Sequence, residues 1–474
     1  MRHRRHHILL GLLGVAVVMA LGLASLPYDG HAEASVSAGA ATKIKHVMVI
    51  YQENHSFDNV LGALCRTRTK RCDGFTGTVT LKDGTRVLMT KSPDISANVV
   101  HSVASQQAAI NGGAMDGWAS VYGCDAAHGY ACLSYYTPSQ IPNLAQLART
   151  YTVSDRTFSM SDSPSWGGHL YAAAASLGGF TGDNPKAVAG VKEGPGWGRN
   201  SNKIALWRNG RTGRTSMEPS CIPDRSLDPA VHPYGGAFRA TPVPQIMTVF
   251  DRLDAVGLPW RIYGEPTPGN LFSICPSFAE CYYTKQADKV VPTAQVLTDA
   301  ADGNLPAYSV LTPSKSSTAA IGADTSQHNG RSMLAGDNWI GRIVAAVEKG
   351  PDALSTAIFI TYDDCGCFYD HVRPGANPDG TRQGPRMPMV IVSPYAKPGY
   401  TDSTGATYAS ILAFAEHTFG LKPLTANDAR AYDYANAFDF TQRPLSPPPM
   451  SEQALSPATV TYLRTHPADE DDPT

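Results

Sequence analysis

A chain of 474 residues, 42% of them hydrophobic, can bury a large core, as one big α/β domain or two smaller ones. Its formal net charge of −2 excludes the basic footprint of a nucleic-acid binder. Only 17% of the residues are charged while glycine and proline number 43 and 35, a composition that predicts long, shaped loops.

The chain opens with Arg2, Arg4 and Arg5 ahead of an apolar run from Ile8 to Leu26, and Ala32-Glu33-Ala34 offers a small-x-small cleavage site. Residues 1–34 therefore read as an export signal, cleaved or retained as a signal-anchor, followed by a small-residue linker over 35–42. A secreted, periplasmic or cell-surface location follows, and nine cysteines suit an oxidising compartment. Cys65 and Cys72, Cys124 and Cys132, and Cys275 and Cys281 are close in sequence within loop-like stretches and read as local staples. Cys221, Cys365 and Cys367 remain; one thiol should be free, and a disulfide from Cys365 or Cys367 to Cys221 or another loop is expected. No paired CxxC motif supports a zinc site.

Val47 to Tyr51 form an unbroken apolar run, the pattern of a strand covered on both faces. Gln52, Glu53, Asn54 and His55 then follow with no glycine or proline to turn the chain. Helical spacing predicts helices over 141–151, 337–350 and 408–421; in the last, Tyr408, Ile411, Leu412, Ala415 and Phe419 share a face and Gly420 can end it. Apolar runs at 258–265, 355–364 and 386–395 read as further buried parallel strands. Strands alternating with helices predict an α/β fold, a mostly parallel sheet covered by helices on both faces. Residues 180–320, rich in glycine, proline and asparagine, read as a loop-rich cap interrupted by a helix-strand pair at 243–255 and 258–264. The catalytic domain is expected over 43–441, and the Pro-rich, then acidic stretch 442–474 as a flexible tail.

Open α/β sheets bind ligands beyond the carboxyl ends of their strands. Glu53 and Asn54 end one predicted strand, and Asp363 and Asp364 end another, with Asp370 and His371 close behind. Adjacent acids repel unless a cation or strong donors compensate. Three carboxylates and an amide at two strand ends make an oxygen-rich set for a divalent metal; the plainer alternative is helix caps or solvated loop residues. Ser165 precedes a Gly-Gly pair and a helix expected over Leu170 to Ser176, a place that suits an ordinary N-cap and equally a nucleophile facing the helix dipole. Trp118, Trp166 and Tyr369 are candidates for the wall of a substrate cleft, with the hydrophobic core as the commoner place for such aromatics.

The stretches VMVIYQENHSFDNVLG, DSPSWGGHLYAAAAS, TYDDCGCFYDHV, MPMVIVSPYAKPGY and FGLKPLTANDARAYDYANAFDF resemble, in order, blocks of the bacterial phosphoesterase family of phospholipases C and AcpA-type acid phosphatases. The resemblance runs from about residue 44 to 441. It implies a fold similar to the alkaline phosphatase superfamily, a metal held by Glu53, Asn54, Asp363 and Asp364, and Ser165 as nucleophile. His101, in a segment similar to the family's H…NGxMDGW block, His328, at the place of its EHP block, and His371, after Asp370, are implied as donors to phosphate or to the leaving oxygen; the alternative for each is a structural hydrogen bond, and for His371 the orienting of Asp364 or a strand-end carbonyl. His169 also matches a family position and could equally pack under the Ser165 turn. Three departures stand out: Trp166-Gly167-Gly168 follow Ser165 where the family reads roughly Phe-Pro-Asn, Gln327 replaces a glutamate before His328, and Asp364 stands in place of a glutamate. The family's longer phospholipases C carry C-terminal β domains, and this chain stops soon after the core.

The expectation is a secreted, metal-dependent hydrolase of phosphoric esters, of phospholipase C or acid phosphatase type, working through a phosphoserine on Ser165. A sulfate-ester or phosphonate hydrolase on the same scaffold, or a non-catalytic surface-binding relative, is the alternative. The oxygen-rich ligand set allows calcium, magnesium, manganese or iron as the divalent metal, with zinc not excluded. The expected partners are a small phosphate ester or a phospholipid head group, with at most transient contact with a membrane surface, and no nucleic acid.

Overall fold

The computed structural model describes residues 43–66, 71–194, 196–198, 201–223, 242–264, 271–314 and 324–467. The predicted export signal, the linker as far as Thr42 and the final acidic residues lie outside these. No described helix is long and apolar enough to cross a membrane.

Eleven strands build the main sheet and a smaller three-stranded one: β1 (His46–Gln52), β2 (Thr152–Ser154), β3 (Lys186–Ala187), β4 (Lys203–Arg208), β5 (Thr215–Pro219), β6 (Trp260–Tyr263), β7 (Val290–Val291), β8 (Tyr308–Leu311), β9 (Thr356–Tyr362), β10 (Met389–Val392) and β11 (Thr401–Asp402). The main sheet has eight of them in the order β7-β6-β8-β1-β9-β10-β2-β11. The expected run at Val47–Tyr51 is therefore central, flanked by β8 and β9 and parallel to both. Every residue of β9 is buried, which is why its sequence shows no polar alternation.

Besides two short helices at Val103–Ile110 and Ala279–Tyr283, the helices are α1 (Phe57–Cys65), α2 (Pro142–Thr150), α3 (Ser165–Ala174), α4 (Val249–Ala255), α5 (Gln295–Asp302), α6 (Met333–Lys349), α7 (Tyr408–Phe419) and α8 (Pro457–Thr465). They pack in two groups, α2 and α5 against α6, and α4 and α7 against α3, giving the sheet the helical cover that the α/β reading predicts. The predicted helices at 141–151, 337–350 and 408–421 are α2, α6 and α7. Gly420 caps α7 in the left-handed region at φ 67°, where a residue without Cβ is favoured.

Four expectations need correction. The run at 386–395 gives β10, which is antiparallel to both its neighbours, β9 and β2. Burial on both faces leaves the same apolar signature whichever way a strand runs; here the chain returns from β9 through 363–388 without a helix to cross over. The stretch 180–320, read as a loop-rich cap, also supplies β6, β7 and β8 to the main sheet. The tail packs down as far as it is described: Ser451 and Asn143 exchange two hydrogen bonds at 2.8 Å, and the Arg331 guanidinium donates to the His466 carbonyl at 2.7 Å. Finally, the three staples form as expected between Cys65 and Cys72, Cys124 and Cys132, and Cys275 and Cys281, but Cys365 and Cys367 are buried and unbridged. They flank Gly366 in a tight loop, where the Cys365 sulfur accepts from the Cys367 backbone N–H at 3.3 Å.

Candidate active site at the carboxyl ends of β1 and β9

Gln52 lies opposite Tyr362 in the β1–β9 register, so the residues after each strand leave the sheet side by side. Glu53, Asn54, Asp363 and Asp364 are all fully buried. Their backbone is tied together: the Asn54 N–H donates to Asp363 Oδ1 at 3.3 Å, and the Asp364 N–H donates to the same oxygen at 2.9 Å. Asn54 takes φ 58°, a left-handed conformation that asparagine tolerates better than most residues. The polar end of a buried strand is thus no anomaly. It turns the two side chains that follow β1 toward the two that follow β9.

Ser165 completes the group. It is the first residue of α3, capped by Pro164 rather than by its own side chain, so its hydroxyl is not consumed as an N-cap. That hydroxyl lies 3.1 Å from Asp364 Oδ2, 3.3 Å from Asn54 Oδ1 and 3.5 Å from Glu53 Oε2. The glycines that depart from the family pattern explain the approach. A Cβ on Gly168 would sit 2.3 Å from the Asp363 carbonyl oxygen, and one on Gly167 would sit 2.5 Å from Ser163 Cβ. Glycine at 168 lets α3 press its first turn against the residue that follows β9, and glycine at 167 lets the Ser163 turn close against the same helix.

The electrostatics are those of crowded acids. Burial, followed by the neighbouring charges of Glu53 and Asp364, pushes the Asp363 carboxyl well above its usual range, and burial likewise raises Asp364. Neither aspartate meets a lysine or arginine among the described residues. His169, the fifth residue of α3, points its Nε2 at Glu53 Oε1 (3.7 Å) and Asp363 Oδ2 (3.8 Å). That nitrogen is buried and has no hydrogen-bond partner, and burial lowers the ring's pKa toward the neutral form. Glu53, His169 and Asp363 bring ligand atoms within 4.8 Å of one another.

The amide of Asn54 tests whether a cation fits. Its Nδ2 is 3.0 Å from His101 Nε2, while its oxygen faces the three carboxylates, a placement relieved on paper by exchanging oxygen and nitrogen. His101 Nδ1 faces the Val99 carbonyl at 2.9 Å and His328 Nδ1 faces the Asn329 carbonyl at 3.0 Å. Both Nδ1 atoms must therefore carry a proton, and a neutral ring then offers only a lone pair at Nε2. The exchanged amide would turn its oxygen to both Nε2 atoms, at 3.0 and 2.9 Å, and so require two buried imidazolium rings with centroids 5.8 Å apart. With neutral rings the amide N–H groups go to the histidines and the amide oxygen joins the carboxylates. That arrangement is electrostatically sound with a cation between the oxygens, and the donor set fits a hard divalent ion, with one imidazole in reach.

His101 and His328 are thus brought to the cluster, bracketing Asn54. His371 is not. Its Nδ1 bonds Asp58 Oδ2 at 2.6 Å and its Nε2 bonds Asp73 Oδ1 at 3.2 Å. Asp370 and Asp58 in turn share the fully buried guanidinium of Arg386, at 3.1 and 3.0 Å. Gln327 is held on all sides: its N–H donates to Gln52, its side-chain amide to the Met333 carbonyl, and its side-chain oxygen accepts from Tyr362 at 2.5 Å. Trp118, Trp166 and Tyr369 are all buried in the hydrophobic core. His169 is the residue whose placement sequence reasoning left undecided; its four-residue spacing from Ser165 on one helix face was the available signal.

The model of the Phosphoesterase family matches residues 44–422. Among curated proteins, the non-hemolytic phospholipase C of Pseudomonas aeruginosa is 24% identical over 463 residues, which take in 85% of this chain and 58% of the relative. The non-specific phospholipase C6 of Arabidopsis thaliana is 23% identical over 455 residues, 88% of this chain and 76% of the relative. A solved chain from Bacteroides thetaiotaomicron, described in connection with the metabolism of multiple glycosaminoglycans, matches 85% of this chain and 79% of its own length at 10% identity and a TM-score of 0.38, too slight a correspondence to bear on the site. The chain spans little more than half of the Pseudomonas relative's length.

Proposed function

Because this chain belongs to the phosphoesterase family, we propose that it is a metal-dependent hydrolase of phosphoric esters, of the phospholipase C or acid phosphatase type, with Ser165 as nucleophile. The observation that carries this reading is the Ser165 hydroxyl, buried at a helix start within 3.5 Å of Glu53, Asn54 and Asp364. A divalent cation held by Glu53, Asn54, Asp363 and Asp364, with His169 in reach, would supply Lewis acidity and charge neutralisation to phosphoryl chemistry. The chain's own groups do the rest. Asp364 Oδ2, at 3.1 Å, accepts the hydroxyl proton as Oγ attacks phosphorus. The P–O bond to the leaving group breaks as the bond to Oγ forms, and the leaving oxygen takes up a proton from water. Water then hydrolyses the phosphoserine, releasing phosphate or a phosphomonoester and restoring Ser165. The N-terminus of α3 favours the developing anion. His101 and His328 fix the Asn54 amide from two sides and so set where its oxygen points.

The substrate class in this reading is a small phosphate ester or a phospholipid head group, and export through residues 1–34 suits the three disulfides. The test is turnover of nitrophenyl phosphate, bis-nitrophenyl phosphate and phosphatidylcholine with and without chelator, in the parent and in Ser165→Ala. The parent turns over at least one and loses it on chelation; Ser165→Ala is inactive with an unchanged melting temperature. Full activity in that variant removes the serine from the mechanism. Unchanged bound metal in Glu53→Gln and Asp363→Asn, measured by elemental analysis, refutes the ligand assignment.

A further inference from the structure

The three-stranded antiparallel sheet β5-β4-β3 stands outside the main sheet. Its strand β4 alternates strictly: Lys203, Ala205 and Trp207 are buried, whereas Leu206 and Arg208 are exposed. The inner face is anchored beside the nucleophile helix. Trp207 Nε1 donates to the Gly178 carbonyl at 3.0 Å, the Thr181 N–H donates to the Leu206 carbonyl at 2.9 Å, and Phe180 packs edge-on against Trp166 with ring centroids 5.0 Å apart. Trp166 is the residue after Ser165, so this hairpin is two side chains away from the candidate site.

The outer face combines exposed apolar and cationic side chains. Leu206 and Met217 are directly opposite each other in the β4–β5 register and are 39% and 48% exposed. Arg208 extends the same face beside Thr215, and the connecting turn adds Arg211 and Arg214, all exposed. On the neighbouring strand Lys186 pairs with Ile204 and points the same way. None of these four cations forms an ion pair with a described carboxylate, although the whole chain carries a net charge of −2. Exposed apolar side chains ringed by unpaired cations, on an element rigidly backed by tryptophan, match the chemistry of an anionic bilayer surface: the apolar pair enters the head-group boundary while the arginines meet lipid phosphates.

We propose that the β4–β5 hairpin docks this protein on anionic lipid membranes, with Leu206 and Met217 inserted and Arg208, Arg211 and Arg214 on the head groups. The docking is a property of the hairpin face and does not depend on the hydrolytic reading. It places the nucleophile helix beside the lipid surface.

The experiment is co-sedimentation of the full chain with vesicles of phosphatidylcholine alone or mixed with phosphatidylglycerol, at low and high salt, alongside turnover of a soluble chromogenic phosphate ester. The parent is expected to bind the mixed vesicles, to be released by salt, and to bind pure phosphatidylcholine far less. At about 1 kcal/mol for each cation near such a surface, Arg211→Glu/Arg214→Glu should lose roughly 30-fold or more in partitioning. Leu206→Ser/Met217→Ser should also weaken binding, and both variants should keep the soluble turnover of the parent, which shows them folded. Retained vesicle binding in both variants, equal binding to the two vesicle types, or no binding by the parent overturns the proposal. So does a parental dimer that dissociates in these variants on analytical ultracentrifugation, which would assign the face to a second copy of the chain. Absent turnover with intact vesicle binding would count against the catalytic reading alone.

Discussion

Gly168→Ala isolates the geometry on which the site depends. Gly168 lies within α3 three residues after Ser165, so a methyl group there is compatible with the helix and acts only through what it meets. It would meet the Asp363 carbonyl oxygen at 2.3 Å, against an ordinary carbon–oxygen contact of about 3.3 Å. Relief requires α3 to withdraw by roughly 1 Å from the end of β9, and Ser165, on the same turn, withdraws with it. The present 3.1 Å between Ser165 Oγ and Asp364 Oδ2 then opens to a separation at which the hydrogen bond is lost. A misplacement of about 1 Å lowers a rate by roughly 100-fold. The overpacking is worth about 1–3 kcal/mol of destabilisation, offset in part by the ~0.5–1 kcal/mol that alanine gains over glycine in a helix. At about 2–4 °C per kcal/mol for a domain of this size, the melting temperature should fall by only a few degrees while kcat collapses. The assay is kcat and KM on a chromogenic ester, beside a thermal melt. Gly405→Ala, where a Cβ meets nothing within 4 Å, should match the parent in rate. A Gly168→Ala enzyme with parental kcat would show that the seat of α3 on β9 does not position the nucleophile.

Buried charge gives two stability predictions. Glu416 on α7 is buried, and that burial, with Asp428 beside it, raises its pKa to about 9. The folded state therefore holds a proton that the unfolded chain releases near 4.5, so stability is lost progressively as pH rises between those values. Glu416→Gln should stabilise the protein at neutral pH, by at most about 3 kcal/mol, and by little at pH 5; an equal effect on the urea midpoint at both pH values would refute the titration. Arg386→Met leaves Asp58 and Asp370 facing each other without their shared cation, and should destabilise the protein by roughly 3–5 kcal/mol in urea unfolding. A loss below 1 kcal/mol would mean that the pair is solvated or protonated rather than held by Arg386.

Much of the fold was legible because the central strands are buried on both faces, and such strands announce themselves as unbroken apolar runs. β1 and β9 were readable for that reason, and so were the polar residues that end them. What the runs do not encode is direction, and β10 was read as parallel because nothing in Met389–Val392 distinguishes the two. β8 was missed because Tyr308–Leu311 is short and lies in a stretch whose glycine and proline content points to loop. The same composition hid the β4–β5 hairpin, although β4 alternates buried and exposed residues along its whole length. The docked tail escapes a sequence reading for a different reason: several of its contacts are backbone groups meeting Asn143, Asn338 and Arg331, and composition carries no trace of a backbone group's partner.

The acids between Asp363 and His371 present one sequence signal and two physical situations. Asp363 and Asp364 face Glu53 and the Asn54 oxygen, so negative groups converge with no guanidinium or ammonium from the described chain to balance the two aspartates. Asp370 sits seven residues beyond Asp363, yet it shares Arg386 with Asp58, and His371 closes the same network through Asp58 and Asp73. Acidic neighbours in sequence thus divide according to whether the fold supplies a cation of its own. Where it does, the result is a clamp: Asp58 on α1 and Asp370 on the loop after β9 are tied to one buried arginine, which fixes the segments beyond Glu53-Asn54 and Asp363-Asp364 relative to each other. Where it does not, the acids converge without a cation from the described chain to balance the two aspartates, beside the serine hydroxyl that α3 brings within hydrogen-bonding reach. Spacing alone could not separate these cases, because the arginine that decides between them arrives from residue 386.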